Sequence, residues 1–153
     1  MITETFLYIR LKRFLRYAGW QVVGGQPPSG TDHIPVLEIK AGNGVAKGSL
    51  GSFKPDLVAF RESTVLVIEI KPRFTKSDVD KVADFMSSKS RQDNFVLELE
   101  QRGVLEAGSP LGNLITFEGA IAYAGAAGDA LGLTTFLWEG SHESGGFVQV
   151  KSR

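Results

Sequence analysis

The chain has 153 residues, 42% of them hydrophobic and 22% charged, with seventeen basic against seventeen acidic side chains and no cysteine. That length holds one domain with one core; the composition excludes a disordered or fibrous chain, and the missing thiols exclude disulfides, thiolate zinc sites and a cysteine nucleophile. No apolar run reaches the roughly 18–20 residues that span a bilayer, no uninterrupted apolar stretch of the secretory kind opens the chain, and a formal charge of zero gives no global attraction to nucleic acid.

The expectation is therefore a single cytoplasmic domain over 1–153. Its charge is uneven. Residues 1–20 and 71–91 each net +3, while 92–129 net −5. Two basic segments could share one face, or simply be solvated helix surfaces.

In chain order, Leu7, Leu11, Phe14, Leu15 and Ala18 form a stripe of helical period, with Thr3 as a cap and Gly19 as a stop. A short strand follows over 20–23, closing at Gly24-Gly25, and then a turn-rich loop over 26–32. Residues 34–40 read as a strand and 41–52 as a glycine-rich loop. Those glycines lack the Gly-Lys-Ser/Thr ending of a phosphate-binding loop.

The clearest strands are 55–60 and 64–71. Next comes a helix over 75–87, with Val79, Val82, Ala83 and Met86 on one stripe and Thr75 and Asp78 at capping-box separation. Residues 88–103 are ambiguous between loop and helix. Strands are expected over 119–125 and 133–138, separated by small residues, with an edge strand over 147–151.

The two clear strands flank a short polar turn. A four-residue loop sets Phe60 opposite Val65; a tighter one with Glu62-Ser63 at its tip sets Arg61 opposite Thr64. In both registers Asp56 faces Glu69 across the ladder, with side-chain roots about 4.5–5.5 Å apart. Alternation puts Glu69 and Lys71 on one face with Val65 and Val67, and Leu66, Ile68 and Ile70 on the other, the pattern of a strand covered on both sides.

Two facing carboxylates repel, and burial raises the cost by several kcal/mol or forces protonation. Lys71 could compensate through a salt bridge in a purely structural hairpin; a divalent cation could do so as well. Magnesium takes one or two carboxylates plus water and phosphate oxygens, the set this pair would offer. A second Glu-x-Lys, Glu38-Ile39-Lys40, lacks a Pro-Asp hairpin before it and serves as an internal control.

Pro55-Asp56, twelve residues, then Glu69-Ile70-Lys71 resembles the signature of the PD-(D/E)xK nuclease superfamily. The flanking helices resemble that family's core, and the resemblance covers roughly residues 1–90 plus the strand pair at 119–138. The resemblance implies an α/β fold of restriction-endonuclease-like type, a central mixed sheet flanked by helices in the order α-β-β-β-α-β-β. It implies that Asp56, Glu69 and the backbone carbonyl of Ile70 hold magnesium or manganese, and that Lys71 assists the attacking water. Some members, Holliday-junction resolvases among them, add an acid from the first helix, for which Glu4 is the candidate.

The expected activity is metal-dependent hydrolysis of DNA phosphodiesters, duplex or branched, with a homodimer needed to cut two strands. The alternative is a catalytically silent subunit of the same fold that binds nucleic acid or joins an assembly. Arg10, Arg13, Lys54, Arg73 and Lys76 are the expected phosphate contacts. His33 and His142 read as surface residues without a zinc set. Ser29, Ser49 and Ser109 lack a nucleophile elbow, and Trp20, Phe136 and Trp138 read as packing residues.

Overall fold

Thr3 begins the first helix, α1 (Glu4–Tyr17), by accepting from the Phe6 amide at 3.1 Å. At the other end Gly19 takes a φ of +92°, and the Gly19 and Trp20 amides close back onto the carbonyls of Arg16 and Leu15 at 3.1 and 2.9 Å. This is a Schellman stop, and its left-handed residue favours glycine. Leu7, Leu11 and Leu15 are buried as the stripe predicts.

The computed structural model describes residues 1–28, 34–39, 53–105 and 114–151. After α1 come β1 (Gln21–Gly25), β2 (Leu57–Arg61), β3 (Thr64–Ile70), α2 (Lys76–Met86), α3 (Lys89–Gln101), β4 (Thr116–Ala124), β5 (Thr134–Glu139) and β6 (Gly146–Lys151). The six strands form one sheet in sequence order. Its centre is parallel, β3 with β4 and β4 with β5, and the remaining neighbours are antiparallel. The fold is α/β, a mixed sheet with three helices.

The order departs from the expected α-β-β-β-α-β-β in a further helix, α3, which the ambiguous stretch forms; the edge strand expected near the end is present as β6. Ser88 restarts the backbone by accepting from Arg91 N at 3.3 Å, giving α3, and β6 pairs along the whole of β5. The strand expected over 34–40 is also absent from the described part of that segment, where Ile39 makes only a bridge to Phe53. Pro35 has no amide to give a ladder, and the Glu38 amide donates to Glu98 Oε2 at 3.1 Å. Lys40, His33, Ser29, Ser49, Ser109 and segment 41–52 lie outside the described residues.

Alternation along β3 sorts the core into two layers. Leu66, Ile68 and Ile70 pack with Leu57, Ala59 and the α1 leucines, together with Trp20, Phe136 and Trp138. Val65 and Val67 pack with Val58, Val79, Val82, Phe85, Phe95 and Leu99 under α2 and α3. From Val65 to Ile70 every residue of β3 is buried, so the strand reads as a continuous hydrophobic run interrupted only by Glu69.

Candidate metal centre

The hairpin of β2 and β3 takes the tighter register, with Arg61 opposite Thr64 and Leu57 opposite Ile68. Its two-residue turn places Glu62 at a φ of 57°, a conformation that disfavours most side chains. The tip is pinned by Arg61, which donates from Nη1 to the Ala18 carbonyl at 2.8 Å and lies 4.1 Å over the Trp20 ring. Continued one step past Leu57, the register sets Asp56 opposite Glu69.

The two acids interlock with the backbone at the open end of the hairpin. The Asp56 amide donates to Glu69 Oε2 at 3.0 Å, and the Ile70 amide donates to Asp56 Oδ2 at 2.8 Å. Glu69 is only 4% exposed. Burial, then the charge of Asp56 and a hydrogen bond between the two carboxyl groups, push Glu69 up to about 8. Burial also raises Asp56, against the opposing pull of the Ile70 amide. The pair therefore retains one proton at neutral pH.

The cation compensating Glu69 is not the one expected. Lys81, on α2, reaches Glu69 Oε1 at 3.2 Å. Lys71 instead meets Glu4 Oε1 at 3.4 Å, so Glu4 stands as a partner of the lysine. Burial disfavours the Lys71 ammonium, but the charges of Asp78, Glu4 and Asp56 outweigh it and raise its pKa. Among the described residues no three His, Asp or Glu side chains gather closely enough to hold a metal by themselves. The acidic side chains brought together at the centre are Asp56 and Glu69, with Ile70, whose carbonyl the resemblance also implies as a donor, next to Glu69 on β3.

The expected capping box at α2 does not form. Thr75 makes no side-chain cap, and both its Oγ1 and Asp78 Oδ2 are buried without a hydrogen-bond partner. Asp78 is buried on the same helical stripe as Val82 and Phe85. That spacing, 78, 82 and 85, was the available signal for Asp78, and Lys81 lies one turn further along.

The basic residues divide. Lys54 and Arg73 are exposed close in sequence to the acidic pair and to Lys71. Arg73 also borders a cleft of about 540 Å³ lined by Ile2, Pro72, Phe74 and Ala124. Lys76 is held by Asp80 at 2.9 Å. Arg10 lies 5.1 Å over the Phe6 ring and 6.0 Å from that of Trp138, on β5, two strands from Glu69. Arg13 is exposed on α1. His142 is exposed and stacks on Phe6 at 4.0 Å.

No protein-family profile, curated protein or solved structure matches the chain.

Proposed function

We propose that this protein is a divalent-metal-dependent endonuclease of the PD-(D/E)xK type, hydrolysing DNA phosphodiesters at the centre formed by Asp56, Glu69 and Lys71. One observation carries the reading: a buried carboxyl pair with more negative charge than its surroundings neutralise, next to a lysine that stays protonated. Four carboxyl groups (Glu4, Asp56, Glu69 and Asp78) interact there with two ammonium groups (Lys71 and Lys81), an excess of one negative charge while Asp56 and Glu69 share a proton and of two once that proton is lost. The donors are all oxygen, the chemistry magnesium and manganese prefer. The arrangement of one helix on the hairpin's first face and two on its second supports a restriction-endonuclease-like core.

A divalent ion held by Asp56 and Glu69 supplies a Lewis acid for water and a counter-charge for the phosphodiester. The protein's own residues do the rest. Glu69 and Asp56 would hold such an ion as carboxylates and would give up their shared proton to do so. The Lys71 ammonium would orient the water and stabilise charge on the phosphoryl oxygens as the water oxygen bonds to phosphorus and one P–O ester bond breaks, the water's proton passing to solvent and the departing oxygen taking one from solvent. Lys54 and Arg73 contact the backbone of the nucleic acid, and a second copy of the chain serves the second strand of a duplex.

A second reading is favoured by a specific observation. Lys81 already reaches Glu69 and Lys71 already engages Glu4, so the centre can rest without an ion, as a silent subunit binding nucleic acid would require. A cleavage panel of duplex, branched and single-stranded DNA in magnesium or manganese separates the two. The nuclease reading expects cutting that falls by about 10²-fold or more in Lys71→Ala and Asp56→Asn while both variants stay folded. Tight DNA binding with no cutting in either metal would overturn it in favour of the silent subunit.

A further inference from the structure

Lys71 follows Glu69 on the same face of β3, and the ladder runs on through it, its amide donating to the Ala122 carbonyl at 3.0 Å. Alternation therefore aims this side chain at the layer of α2 and α3. The ammonium is found instead with Glu4, on the helix covering the opposite face, in a contact of 3.4 Å whose side chains are 43% and 26% exposed. Meanwhile α2 presents two buried polar atoms with nothing bound to them, Thr75 Oγ1 and Asp78 Oδ2.

A carboxylate oxygen buried without a donor is costly, and Asp78 is only 5% exposed. The charge of Asp78 favours the Lys71 ammonium, as does that of Glu4. We propose that Asp78, with Thr75, is a positioning dock for Lys71: the lysine has two seats, an outer one on Glu4 and an inner one on Asp78, and the inner seat brings its ammonium to the face that carries Asp56 and Glu69. The role assigned to the inner seat rests on the nuclease reading above; the existence of the two seats does not. The outer seat is the resting arrangement. Release of Glu4, by substitution or by engagement of that carboxylate elsewhere, sends Lys71 inward, where the donors of its ammonium satisfy the Asp78 oxygen.

Two experiments on the full chain test this. In the first, side-chain nuclear Overhauser contacts of the Lys71 ε-methylene are compared between the wild type and Glu4→Gln. The expected result is contacts to the Asp78 and Thr75 side chains that strengthen severalfold in Glu4→Gln. Absence of any contact to α2 in both proteins overturns the proposal, and this reading needs no variant of Asp78 that must fold. The second compares cleavage by wild type and Asp78→Asn in magnesium. The expected result is a fall in kcat of about tenfold with KM for DNA and the magnesium requirement unchanged, because only the lysine is displaced. An unchanged kcat overturns the positioning role while leaving the nuclease reading standing. If the wild type cuts nothing, the nuclease reading and the positioning role fall together, and the contacts to α2 still decide whether the inner seat exists.

Discussion

Glu69 carries a stability signature that follows from its surroundings. Its ordinary value is 4.5, and burial beside Asp56 moves it to about 8 in the folded protein. Between those values the folded state holds a proton that the unfolded chain has lost, so folding is favoured by proton uptake. That stabilisation is fully present below about pH 4.5 and is lost as the pH rises through about 8. Urea unfolding of wild type and Glu69→Gln from pH 5 to pH 9 should show the wild type losing on the order of a few kcal/mol relative to the variant. A difference that stays constant over that range would refute the account of a strained, proton-sharing pair. Lys81 acts on the ionised form, so Lys81→Met should cost about 1 kcal/mol at pH 9, the size expected for a half-exposed partner, and less at pH 6. The same unfolding series reads both.

At the scale of elements, the hairpin of β2 and β3 determines whether the two acids face each other. Its tightness comes at a local cost, since Glu62 holds a φ of 57° in the two-residue turn. Glycine meets that conformation without a Cβ penalty but loses more freedom on folding, so Glu62→Gly should stabilise the protein by roughly 0.5–1 kcal/mol in thermal or urea unfolding. Loss of stability instead would mean that the Glu62 side chain contributes more than its backbone strain costs. At α1 the Thr3 cap should be worth about 1 kcal/mol, measured as Thr3→Ala. These features were legible because they are local. The stripe Leu7, Leu11, Leu15, the stop at Gly19 and the even-numbered turn are all set within a few residues of one another. The region 34–40 misled for the opposite reason. Its apolar composition looks strand-like, but the Glu38 amide is taken by Glu98, sixty positions away.

For the whole molecule, one helix covers the first face of the sheet and two cover the second, and no described helix is long and apolar enough to cross a membrane. The candidate centre sits at the end of β3, within reach of both faces of the sheet: α1 supplies Glu4 to Lys71, and α2 supplies Lys81 to Glu69. An ion bound there should stabilise the entire fold, because it binds the folded state alone. At an ion concentration of about 100 times its dissociation constant the gain is about 2.7 kcal/mol, several degrees in Tm for a domain of this size. Magnesium or manganese should therefore raise the Tm of the wild type and leave Asp56→Ala unmoved. Equal shifts in both proteins would place the ion elsewhere.

Chain order predicted that Asp56 and Glu69 meet if the turn is even, since an antiparallel hairpin then pairs residues by simple counting, and the structure supplies that even turn; the apolar run around Glu69 already pointed to a strand buried on both faces. Only the tertiary structure decided which cations answer those acids. Lys81 and Asp78 come from α2 and Glu4 from α1, on opposite faces of the sheet, and their distances to Glu69 and Lys71 depend on how each helix packs rather than on any local spacing. Backbone pairing is set by short-range geometry. The charge balance of a buried site is set by everything folded around it.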